Sequence, residues 1–219
     1  MSDVQYKTKF TDLPDVLPVF PLEGVLLLPG GQLPLNIFED RYIAMIDDAL
    51  ASNRMIGIIQ PKPDHVLQSG IRDLQTVGCM GKITQFNHLP DDRYTVLLRG
   101  MWRFDIKEEL SQRNGYRQVM PIWRAYAGDI TIPTCLGIDR DKLCALMKIY
   151  LEKNNLEVDC AQFENTGDTQ LITALSMICP LPPIDKQALL EAPCCKTRAE
   201  MFMAILEMAV HGEKTQIIH

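Results

Sequence analysis

The hydrophobic pattern of this chain changes its period once, near residue 133, and that change limits the possible folds more than any other feature. Upstream, Trp102, Phe104 and Ile106 alternate with Arg103, Asp105 and Lys107, the period-2 pattern of a strand with one wet face. Downstream, Leu143, Leu146, Met147, Tyr150 and Leu151 follow i, i+3, i+4, i+7, i+8 spacing, and Leu171, Leu175 and Ile178 repeat it, as helices do. A doubly wound sheet needs a helix between each pair of strands, and the upstream half offers one. The pattern therefore predicts an α+β chain, mainly β in its first half: a small, partly open barrel followed by a helical bundle.

Turn chemistry divides the first half. Pro18 and Pro21 confine residues 16–21 to an edge or bulged strand, because proline removes a ladder donor. Pro29-Gly30-Gly31 after Val25-Leu26-Leu27-Leu28 is a turn, and residues 32–37 read as extended, with Leu33, Leu35 and Ile37 on one face. Tyr42, Ile43, Ile46 and Leu50 mark a helix over residues 40–51, and residues 55–61 a short buried strand. Residues 77–86 and 94–99 flank Leu89-Pro90-Asp91-Asp92 as a hairpin, and residues 116–124 supply another strand.

In the second half, Pro180-Leu181-Pro182-Pro183 ends one helix and a short one follows over residues 184–191. Thr197-Arg198-Ala199-Glu200 has the form of a capping box opening a last helix that ends near Gly212, with Phe202, Ile205, Leu206 and Ala209 inward. The organisation expected is a flexible leader over residues 1–15, a barrel subdomain over 16–133 and a helical subdomain over 134–219.

Composition excludes several functions. With 219 residues the chain can bury roughly 70% of its unfolded surface, so its core needs neither disulfide nor metal. A net charge of −6 argues against nucleic acid or an anionic membrane as partner. No apolar run approaches the length of a membrane span or a signal peptide, which makes the cytoplasm the default. The seven cysteines include no C-x-x-C pair and read as reduced thiols. The string Gly78-Cys79-Met80-Gly81-Lys82-Ile83 has the wrong spacing for a phosphate loop and lacks its hydroxyl. No cofactor or metal is expected.

The segments Leu17-Pro18-Val19-Phe20-Pro21-Leu22, Gly24-Val25, Leu28-Pro29-Gly30 and Pro34-Leu35-Asn36-Ile37-Phe38-Glu39-Asp40-Arg41-Tyr42 resemble the opening of the Lon protease amino-terminal, substrate-recognition domain. Ile56-Gly57-Ile58, Val77-Gly78-Cys79-Met80-Gly81 and residues 94–100 fall where that family places its later strands. Residues 171–175, 185–191 and Arg198 resemble its helical half. The resemblance runs from about residue 16 to 210. It implies a PUA-like pseudo-barrel plus helical bundle and a non-catalytic module that binds unfolded or degron-bearing polypeptides, as an adaptor in proteolysis or quality control. Its implied partners are peptide segments of other proteins and a Lon-type protease, with the oligomeric state left open. Ser2, Ser52, Ser69, Ser111 and Ser176 lie in none of the family's catalytic contexts, so no peptidase activity carries over.

A module of this kind needs apolar side chains left uncovered. The candidates are Leu27, Leu28 and Phe38 around the Pro-Gly-Gly turn, Met101 and Trp102 on a strand, and Met201 and Met208 on the last helix, where thioethers adapt to varied ligands. An exposed sheet edge is a further candidate. The plainer role of each side chain is core filling. The alternative function is a small-molecule or RNA sensor, since PUA-like relatives bind modified nucleic acid; it requires Arg99, Arg103 and Arg117 to converge beside an aromatic pocket.

Overall fold

The computed structural model describes residues 12–66, 72–90, 93–130, 137–157 and 159–211. Most of the leader assignment and the end of the last helix at Gly212 lie outside the described residues. Six strands form one sheet: β1 (Leu17–Pro21), β2 (Gln32–Ile37), β3 (Met55–Val66), β4 (Arg72–His88), β5 (Tyr94–Arg113) and β6 (Tyr116–Ile122). Their order is β2-β5-β4-β3-β1-β6, and β6 returns to pair with the far half of β5. Five strands thereby close into a pseudo-barrel, with β2 outside it as an edge. β1 runs parallel to β3, and the other pairings are antiparallel.

The alternation read over residues 94–99 and 102–106 belongs to a single 20-residue strand, β5, rather than two. Register shifts beside Gly81 and after Ile106 let it bend far enough to serve β2, β4 and β6. β3 is likewise longer than the short strand expected, reaching Val66.

Helix α1 (Asp40–Leu50) buries Tyr42, Met45, Ile46 and Ala49 in the principal core. The second half forms α2 (Arg140–Lys153), α3 (Asp168–Ile178), α4 (Pro183–Glu191) and α5 (Cys195–His211), with 3-10 turns at Arg124–Ile130 and Cys160–Phe163. Asp139 caps α2 by accepting from the Lys142 amide, and Pro183 opens α4, where a missing N–H costs nothing. α5 begins two residues before the expected cap. The Arg198 amide donates to the Cys194 carbonyl, and the buried Arg198 guanidinium is anchored on the Leu189 carbonyl. That anchor draws the helix start toward the end of α4 and leaves Thr197 inside the first turn.

One apolar cluster joins strand residues such as Phe20, Ile58 and Leu98 to helix residues such as Leu143, Leu175 and Phe202. A second gathers Leu17, Val19, Trp102, Phe104, Val119 and Trp123. Barrel and bundle therefore share a core. Among the described residues, no helix is long and apolar enough to cross a membrane.

Candidate functional site

The seam between barrel and bundle is closed by buried polar contacts. Arg103, expected on a wet strand face, is buried under residues 124–130 and the end of α4. It grips both oxygens of Asp129 (2.7–3.2 Å) and donates to the Leu190 and Ala192 carbonyls (2.8 and 2.6 Å). Tyr126 covers its other face, with the guanidinium 4.3 Å from the ring centre. Burial lowers the pKa of neighbouring Arg198, and the Arg103 charge lowers it further. Gln60 donates to the Pro183 carbonyl and the Gln187 side chain. The Lys186 ammonium donates to the Gly24 carbonyl (2.8 Å) and to the Met177 carbonyl (3.3 Å) near the end of α3, where a cation also meets the negative end of the helix dipole. Desolvation lowers the Lys186 pKa.

Cavities lie among the helices. A cavity of about 430 Å³ sits between the start of α2 and α5, floored by Ile138, Ala199, Met203 and Ala204. Lys142 and Glu207 form a solvent-exposed ion pair at its rim, which water and salt screen and which exchanges easily. Met208, one helical turn beyond Ala204, is 65% exposed. A second cavity of about 350 Å³ is lined by Leu143, Met147, Phe163, Leu171 and Leu175 with Cys144 and Cys160. The first combines apolar reach, a flexible thioether and a mixed-charge rim, which suits contact with varied sequences.

The free edge of β2 offers another kind of contact. Gly100 donates to the Gly31 carbonyl (2.9 Å), so by antiparallel alternation Gln32, Pro34 and Asn36 direct their main-chain groups away from β5. Gln32 and Asn36 can pair with an added strand, whereas Pro34 offers a carbonyl alone. Phe38, just past β2, is 66% exposed.

The predicted binding residues therefore separate. Leu27 (1% exposed), Leu28 (0%) and Trp102 (2%) are core, which corrects their assignment to an uncovered surface. The turn after Leu28 lies flat on β5: Gly30 donates to the Gly100 carbonyl, and a Cβ at Gly100 would stand 2.1 Å from the Leu28 carbonyl oxygen. From the other side Met177 of α3 seals the turn, its sulfur 2.3 Å from where a Cβ at Gly31 would be. Met101 and Met201 are half-buried, packed against the second and principal cores. Phe38 and Met208 remain accessible.

The three arginines do not converge. Arg117 shares a cavity of about 190 Å³ with Arg41, Arg72, Tyr42 and Tyr116, Arg103 is enclosed in the seam, and Arg99 pairs across from Gln32. Sequence reasoning did not find Lys142, Met203, Ala204 and Glu207. On α5 the row of residues 196, 199, 200, 203, 204 and 207 carried a weak signal in its i+3, i+4 spacing; Lys142 carried none.

The reading of all seven cysteines as thiols is corrected at two positions. Cys144 of α2 and Cys160 are joined by a disulfide, with Cα atoms 6.1 Å apart. Their separation of 16 residues matches no framework spacing, so only the return of the chain after α2 brings them together. Cys79 and Cys179 are buried thiols with raised pKa values, Cys179 pushed up to about 12 by burial. Among the described residues, no group of three or more His, Cys, Asp or Glu side chains is placed to hold a metal ion.

A mixed pseudo-barrel sharing its core with a helical bundle, with cavities on both, defines a small α+β domain. Residues 16–208 match the model of the ATP-dependent protease La (LON) substrate-binding domain, and the chain belongs to that family. It is 27% identical over 198 residues to Lon protease 2 of Myxococcus xanthus, covering 89% of this chain and 24% of that protein. It is 33% identical over 105 residues to the Lon protease of Anaeromyxobacter dehalogenans, covering 48% and 12%. The chain thus spans about a quarter or less of the length of these curated relatives. Two solved structures share its fold. The Lon N-terminal domain protein from Xanthomonas campestris aligns with a TM-score of 0.56 at 22% identity, covering 86% of this chain and 97% of that one. The N-terminal domain of Mycobacterium avium complex Lon protease aligns at 0.55 and 19%, covering 89% and 97%.

Proposed function

We propose that this chain is a non-catalytic, cytoplasmic polypeptide-binding module that captures unfolded or degron-bearing segments and serves as an adaptor in proteolysis or quality control, with a Lon-type protease as partner. Membership of the LON substrate-binding family over residues 16–208 carries the reading. The α2–α5 groove with Met203 and exposed Met208 supports it, as do Phe38 and the free β2 edge. Binding should be weak and broad, because a disordered ligand loses entropy as it orders.

Isothermal titration of the whole chain with peptides from an unfolded model protein tests the reading. Micromolar to millimolar affinity is expected, falling at least about tenfold in A204E/M208E, since each places a charge on an apolar contact. Absence of binding at millimolar peptide refutes the function; unchanged binding by the double variant refutes the groove. The sensor alternative has one feature in its favour, the cavity shared by Arg41, Arg72 and Arg117. Those arginines are already paired with Glu39, Glu23 and Glu109, which leaves little uncompensated charge for an anion.

A further inference from the structure

We propose that Cys144 and Cys160 form a reversible thiol–disulfide switch that fastens residues 159–167 beside the apolar cavity between α2 and α3. Both cysteines line that cavity and both are partly exposed, so a small disulfide or thiol can reach them. Cys144 lies on rigid α2, whereas Cys160 opens a one-turn 3-10 segment in the irregular stretch between α2 and α3.

Beside the cavity, two of the described contacts tie the stretch to α2. One is the sulfur bridge. The other is Arg140, which donates to the Phe163 and Thr166 carbonyls and to Asp168. Phe163 forms part of the cavity wall, three residues beyond Cys160, so cutting the bridge frees one end of that wall while Arg140 holds the other. The shared core does not depend on the bridge: Leu143, Met147, Leu171 and Leu175 also pack into the principal cluster. Opening is therefore local.

The chemistry balances with a low-molecular-weight disulfide such as oxidised glutathione as oxidant. One cysteine thiolate attacks it, forming a mixed disulfide and expelling one thiolate. The second cysteine attacks the protein sulfur of that mixed disulfide, forming the Cys144–Cys160 bond and expelling the other thiolate. The two protein thiols lose two electrons and two protons, and the two released thiolates take the protons up. Reduced glutathione reverses each step. In a reducing compartment, where structural disulfides are rare, a bridge of this kind serves as a redox-sensing one. The switch does not depend on what the module binds.

The test uses the full chain equilibrated in oxidised or in reduced glutathione. Alkylation under denaturing conditions followed by peptide mapping should find Cys144 and Cys160 unmodified and joined to each other in the oxidised sample, and both alkylated in the reduced one. Hydrogen exchange should then show amides of residues 159–167 opening about a hundredfold less often in the oxidised sample, the effect expected of closing a loop of this length. C144S and C160S should each exchange like the reduced chain in both buffers, and amides of β4 and β5 should not change. Cys144 and Cys160 found free or each joined to glutathione in the oxidised sample, either of them bridged to another cysteine, or equal protection of residues 159–167 in both buffers overturns the switch.

Discussion

Truncating Arg103 tests whether the seam between barrel and bundle is held as described. In Arg103→Ala the Asp129 carboxylate, only 8% exposed, keeps the residue-103 amide and loses its counter-charge, while the Leu190 and Ala192 carbonyls lose their shared donor. Breaking a buried ion pair by removing one partner costs about 3–5 kcal/mol, and loss of the contact with Tyr126 adds up to about 1 kcal/mol. For a chain of this size each kcal/mol lowers Tm by about 2–4 °C, so the ion pair alone predicts a fall of about 6–20 °C. Urea unfolding at pH 7 followed by fluorescence is the direct assay, because Trp102 and Trp123 lie in the cluster beside Arg103. Arg103→Met/Asp129→Leu separates the contributions. Removing both charges should recover the part due to the stranded carboxylate, but not the part due to the α4 carbonyls. A loss under about 1 kcal/mol in R103A, or a double variant no better than the single one, would refute the reasoning.

Two further outcomes follow from close contacts and buried charge. Gly100→Ala should destabilise the chain by at least about 2 kcal/mol, measured as a lower urea midpoint at unchanged slope, because the new methyl meets backbone, the Leu28 carbonyl, rather than a side chain that can turn aside. Lys186 has a lowered pKa when folded, so between that value and 10.5 the unfolded chain binds more protons and this group's contribution to stability rises with pH. The buried thiols Cys79 and Cys179 act in the opposite sense at alkaline pH, so the measurement is the difference between wild type and K186M. That difference should grow in favour of the wild type as pH rises toward 10.5, and a flat difference would show that Lys186 is not desolvated.

Features set by neighbours along the chain were legible in the sequence. The Pro29-Gly30-Gly31 turn, the antiparallel pairing of β4 with β5, the span of α1 and the stop at Pro180 to Pro183 each follow from local backbone preferences or a local apolar period. The alternation of β5 also showed which side chains share a face, but not that residues 124–130 and α4 cover the face carrying Arg103. The binding residues divided on the same ground. Leu27 and Leu28 flank a turn that would be wet in isolation, and they are core because Gly100 admits the turn from below while Met177 closes it from above. Phe38 and Met208 remain exposed. The groove between α2 and α5 and the pairing of Cys144 with Cys160 arise only where distant segments meet. Periodicity is a property of one segment, so sequence determined which elements form and which side each presents. Burial is a property of two surfaces in contact, so only the packed chain decided which of those sides stay open to a partner.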